Sequence, residues 1–88
     1  MPEISRFYNL VVYMQFKDTG RHHKSHVHVK CGGYKAAVGL DGSLLAGKLP
    51  VRSLEMLRVW LDIHEEELHA NWNKAVRELP IEKIKPLR

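Results

Sequence analysis

Apolar and polar positions alternate with period two through the first half of this chain and with a period near 3.6 through the second, and the change falls at Pro50. From Phe7 to Phe16 the residues are aromatic, β-branched or long and apolar, with no breaker, which predicts one long strand. Tyr8, Leu10, Val12, Met14 and Phe16 form its apolar set, while Asn9 and Gln15 fall on the other side, so the first set is expected to face the core. Asp18-Thr19-Gly20 ends the run. Ser25 to Cys31 alternates again, with Val27, Val29 and Cys31 inward and His26, His28 and Lys30 outward. Gly32-Gly33 supplies a two-residue hairpin turn into a third strand whose apolar set is Tyr34, Ala36, Val38 and Leu40. A second turn, Asp41-Gly42, leads to a fourth strand from Ser43 to Leu49. Connections this short favour an antiparallel meander.

Beyond Pro50, Leu54, Leu57, Leu61 and Leu68 follow helical spacing, with Trp60 and Trp72 close to the same stripe. Glu65-Glu66-Glu67 suits the first turn of a new helix, where carboxylates meet the positive end of the helix dipole. Two helices, or one bent near His64, are expected between about 51 and 79, and Pro80 stops the second.

The fold class is therefore α+β: a four-stranded antiparallel β-meander followed by two C-terminal helices packed on one face. A single domain over 1–88 is expected, with the sheet at about 6–49, the helices at about 51–79 and a basic tail at 80–88. Tyr8, Leu10, Val12, Met14, Val27, Val29, Ala36, Val38, Leu57, Trp60, Leu61 and Leu68 are the expected core. His26, His28, Lys30 and Lys35 are expected on the open face.

Eighty-eight residues, 44% of them hydrophobic, suffice for one core and not for two. Cys31 is the only cysteine, which excludes an internal disulfide framework and a thiolate zinc site. The opening Met1 to Arg6 lacks the layout of a signal peptide, and no apolar run reaches membrane-spanning length, so a cytoplasmic location is expected and a membrane partner is not. The net charge of +4 resides in the first fifty residues, where seven Lys/Arg face three acids; the remainder balances. Such asymmetry points to nucleic acid or an acidic protein surface, or simply to solubility.

The basic half also carries four of the six histidines between positions 22 and 28. Three chemistries compete for this cluster. His26-Val-His28 on one strand face, with His22 or His23 from the loop, has the residue types of a zinc-dependent hydrolytic site formed by His22, His26 and His28. No carboxylate within the cluster orients those rings, and Arg21 and Lys24 repel a cation, so no cofactor is favoured. Alternatively, His26 and His28 serve as base and acid of a metal-free ribonuclease, with Arg21, Lys24 and Lys30 stabilising the phosphorane-like transition state. The third chemistry is binding alone, through Arg21, His22, Lys24, His26, His28, Lys30 and Lys35.

Two near-matches fail on physical grounds. Gly42-Ser-Leu-Leu-Ala-Gly47-Lys48-Leu49 has P-loop spacing, yet Leu49 replaces the magnesium-binding hydroxyl and a hairpin precedes it. His64-Glu-Glu-Glu-Leu-His69 resembles a zincin helix, but its histidines are five apart and diverge by roughly 140°.

Met1-Pro2-Glu3-Ile4-Ser5-Arg6-Phe7, the segment from His22 to His28, Gly33-Tyr34, Asp41-Gly42, Gly47-Lys48-Leu49-Pro50, Trp60, Glu67-Leu68 and Asn71-Trp72 together resemble the bacterial family of unknown function DUF4160 over nearly the whole chain. Where that family typically shows His-x-Pro-Pro-His-Phe-His, this chain has Lys24-Ser25 in place of the prolines, which removes a stiff entry to the strand and adds a charge. The resemblance implies a component of a two-gene module similar to toxin and antitoxin pairs, with no assigned activity. The expected function is thus a binding module whose partner is a small protein encoded by a neighbouring gene or a nucleic acid, with a homo-oligomer also open. A small hydrolase is the alternative.

Overall fold

Tyr8 and Asn9 both take positive φ, 48° and 65°, the conformation of a two-residue hairpin turn whose twist matches the flanking strands. They divide what the apolar pattern predicts as one strand into β1 (Glu3–Phe7) and β2 (Leu10–Tyr13). In the computed structural model, which describes residues 2–15 and 24–87, the sheet is completed by β3 (His26–Cys31), β4 (Tyr34–Gly39) and β5 (Leu44–Gly47). The strands lie in chain order, all antiparallel, so the meander has five members and not four. The difference arises because no glycine marks the first turn: Tyr8 occupies a left-handed position that β-bulky residues seldom take. Tyr8 is accordingly exposed, not part of the core. Gly47, on the edge strand, has φ 74°, and a Cβ there would strike the Lys35 carbonyl oxygen.

Register sorts the sheet into two faces, because directly paired residues point the same way. Phe7, Leu10, Val12, Val27, Val29, Cys31, Ala36 and Val38 share the covered face and are buried. Helices α1 (Val51–Ile63) and α2 (Glu65–Val76) meet at His64 and bring Leu57, Trp60, Leu61 and Leu68 into the same cluster. The Trp60 ring lies 5.3 Å from that of Phe7. Arg58 ties α1 to the β4–β5 turn by donating from Nε to the Gly42 carbonyl oxygen at 2.8 Å. Glu65, Glu66 and Glu67 occupy the first turn of α2, where the dipole favours them. No helix among the described residues is long and apolar enough to cross a membrane.

Residues 80–87, expected as a basic tail, return to the sheet. Asn71, buried in α2, donates from Nδ2 to the Glu82 carbonyl oxygen at 2.7 Å and accepts the Glu82 backbone N–H on Oδ1 at 3.1 Å. Two residues on, the Ile84 backbone N–H donates to the Ile4 carbonyl oxygen of β1 at 2.8 Å, and the Ile84 side chain enters the core. Trp60 Nε1 then donates to the Lys85 carbonyl oxygen at 2.8 Å. The segment thereby satisfies part of a β1 edge that would otherwise be open to pairing with another chain.

Candidate functional site

Arg21, His22 and His23 lie outside the described residues, as does the expected end of the first strand at Phe16 to Gly20. The rest of the histidine segment is not uniformly outward. His26, expected on the open face, is fully buried. Its Nδ1 donates to the Lys24 carbonyl oxygen at 2.7 Å, and because a carbonyl can only accept, this bond places the proton on Nδ1. The His26 ring lies 5.1 Å from Trp72 of α2 on one side and 5.1 Å from His28 on the other. The physical reason is positional: His26 begins its strand, where α2 reaches the sheet and Trp72 covers it. His28, one step further along the same face, is half-buried.

Lys24 is committed to a local clasp. Its ammonium forms an ion pair with Asp41 and donates to Ser43 Oγ at 3.1 Å, while Ser43 donates to Asp41 Oδ1 from its hydroxyl at 2.7 Å and its backbone N–H at 3.0 Å. The Lys24 ammonium first, and then the Ser43 bonds, hold the Asp41 carboxyl far below the usual carboxylate range. The clasp fastens the approach to β3 onto the β4–β5 turn.

The uncovered face of the sheet carries the other expected cations. Arg6, Val11, Lys30 and Lys35 form one row across four strands, and Glu3, Tyr13, His28, Ala37 and Ala46 the adjacent row. Lys30 and Lys35 are directly paired and both exposed, beyond the part of this face that Trp72 covers at His26. Lys30 Nζ stands 5.3 Å from the centre of the Tyr13 ring, within cation–π range. Arg6 holds Glu3 in a two-pronged pair, at 2.9 Å from Nη2 and 3.2 Å from Nε. The Glu3 carboxyl is lowered by that hydrogen bond above all, and in smaller part by the nearby charge of Lys83.

A single strand from Phe7 leaves Arg6 outside the sheet, and nothing in the alternation marks Tyr13 as a neighbour of Lys30. The hairpin at Tyr8-Asn9 folds β1 back along β2 and so brings Arg6 into the row of Lys30, with Val11 between them, while Tyr13 meets Lys30 through the pairing of β2 with β3. Among the described residues, no group of three or more His, Cys, Asp or Glu could hold a metal ion. His64 donates from Nδ1 to Glu67 Oε1 at 2.6 Å and His69 is exposed, so the zincin-like spacing builds no shared site. The P-loop-like spacing runs from the β4–β5 turn into the antiparallel edge strand β5, with no strand-to-helix loop. Cys31 is buried, with Sγ 3.5 Å from Ser53 Oγ.

A protein-family model described as "Domain of unknown function (DUF4160)" matches residues 9–73. No curated protein and no solved structure matches the chain.

Proposed function

The chain belongs to the DUF4160 family, and from that premise we propose that it is a binding module that holds single-stranded nucleic acid across the open, basic face of its sheet. The observation that carries this reading is the Lys30–Lys35 pair. Like charges directly opposite on neighbouring strands cost stability, so the pair is an electrostatic liability in the free protein and an asset once a phosphate lies between the two ammonium groups. Tyr13 beside Lys30 adds an aromatic surface of the kind on which bases stack regardless of sequence. An open sheet face of this composition suits an unpaired strand better than a duplex, whose major groove admits helices or ribbons rather than a broad sheet.

The burial of His26 favours binding over cleavage. A general base must reach the proton it removes, and the His26 ring is enclosed by Trp72 and its own strand neighbour. The two-gene arrangement implied by the resemblance fits a module whose nucleic-acid contact is masked or redirected by a protein made beside it.

The test is fluorescence anisotropy with a labelled single-stranded RNA across a salt series. Affinity is expected to fall with salt by a log–log slope of about −0.7 per phosphate contacted. Lys30→Glu with Lys35→Glu is expected to abolish binding in a protein that still folds. RNA that remains unbound by the native protein at low salt, or binding indifferent to salt, overturns the proposal.

A further inference from the structure

We infer that the returning C-terminal segment is part of the same interface, and that Lys83 and Lys85 extend the basic track beyond β1 to the far edge of the sheet. The inference rests on the nucleic-acid reading above and specifies which residues make up its outer half.

Ile84 is pinned on both counts that matter, its backbone to Ile4 and its side chain in the core. In an extended segment, neighbours of an inward residue point away from the core. Lys83 and Lys85 are accordingly exposed. They line a shallow groove whose opposite wall includes Glu3 and Arg6 of β1. The order of cations across the molecule is then Lys83 and Lys85, Arg6, Lys30, Lys35, with Glu3 as the acid among them and already held by Arg6. At an interstrand spacing of about 4.8 Å, adding the segment lengthens the track from roughly 14 Å to roughly 19 Å. This outer half, Arg6 included, lies outside residues 9–73 that match the family, whereas Lys30 and Lys35 lie within them.

Positive charges set one after another across the strands fit an extended polyanion, and fit poorly the compact acidic patch of a globular partner. The segment is held by its backbone bonds to Asn71, Trp60 and Ile4, by the Ile84 side chain and by the pair of Glu82 with Lys74, so Lys83 and Lys85 are not spent in docking it.

The experiment compares the intact protein with the Lys83→Gln, Lys85→Gln double variant, which keeps Ile84 and all backbone bonds. Lys74→Gln, at a lysine paired with Glu82 at 3.1 Å on α2, serves as the control. Binding to single-stranded RNA is measured by anisotropy as a function of salt, with circular dichroism to verify folding. The double variant should reduce the magnitude of the log–log salt slope by about 1.4, two contacts at about 0.7 each, while the control leaves it unchanged. A slope equal to that of the native protein overturns this inference and leaves the reading of Lys30 and Lys35 standing. Absence of RNA affinity in the native protein overturns both.

Discussion

His26 and Trp72 face one another across the junction of sheet and helix, ring centres 5.1 Å apart and planes inclined by 53°. The contact makes His26 a structural ring: fully buried, its Nδ1 proton bonded to Lys24, its edge against His28. His26→Ala is expected to cost about 2–5 kcal/mol, the range for truncating a large buried side chain, whereas half-buried His28→Ala should cost about 1 kcal/mol or less. Urea denaturation of the two variants distinguishes them; equal losses would place the rings in equivalent roles.

Lys35→Glu should separate stability from binding. Replacing one of two opposed ammonium groups by a carboxylate turns repulsion into attraction, worth about 0.2–1 kcal/mol for a cross-strand pair. The melting temperature should therefore rise while RNA affinity falls. A variant that loses both would show that Lys35 acts through folding.

Ser5 offers a stabilising change. Its hydroxyl is the one buried side-chain polar atom among the described residues without a hydrogen-bond partner, and such a group keeps its full desolvation cost. Ser5→Ala should raise stability by about 1 kcal/mol, read as a higher urea midpoint with an unchanged m-value. A lowered midpoint would reveal a partner to the hydroxyl.

The clasp at Asp41 should resist acid. Its carboxyl is depressed in the folded protein relative to an ordinary value of 3.8, so its contribution is complete above pH 3.8 and disappears only as the pH falls through the lower folded value. In a carbon-detected NMR titration the Asp41 carboxylate should remain ionised at pH 3, below its ordinary value of 3.8. Lys24→Ala removes the ammonium that contributes most to this depression and should return the Asp41 titration toward 3.8.

Asn71 holds the returning segment by donor and acceptor together. Asn71→Ala should leave the Glu82 backbone groups without those partners and cost about 1–3 kcal/mol. Hydrogen exchange at the Ile84 amide, bonded to Ile4, should accelerate well before the amides of β3 do. Equal protection at both sites would show that the segment opens only with the whole fold.

The alternation of Val27 and Val29 with Lys30, the turns at Gly32-Gly33 and Asp41-Gly42, and the helical spacing from Leu54 to Leu68 were all readable from the chain, because each has a local cause. The first hairpin was not, since Tyr8 is no turn former and the apolar run continues through it. Ile81, Ile84 and Leu87 are the one signal that the basic tail is packed, and the lysines and prolines around them obscure it. His26 shares its strand face with Lys30, so alternation alone puts it in solvent; only the approach of Trp72, a long-range event, encloses it. The lysines of the track were legible as residue types, and their alignment with Arg6 depended on register.

The bond from Ile84 to Ile4 joins segments eighty residues apart, so it forms only once everything between them has been made. Until residues 82–84 leave the ribosome, β1 has one bare edge, and its pairing with β2 must survive without that cover. Docking of residues 82–84 is therefore the step that covers this edge of the sheet, and it also sets Lys83 and Lys85 on the surface beside β1.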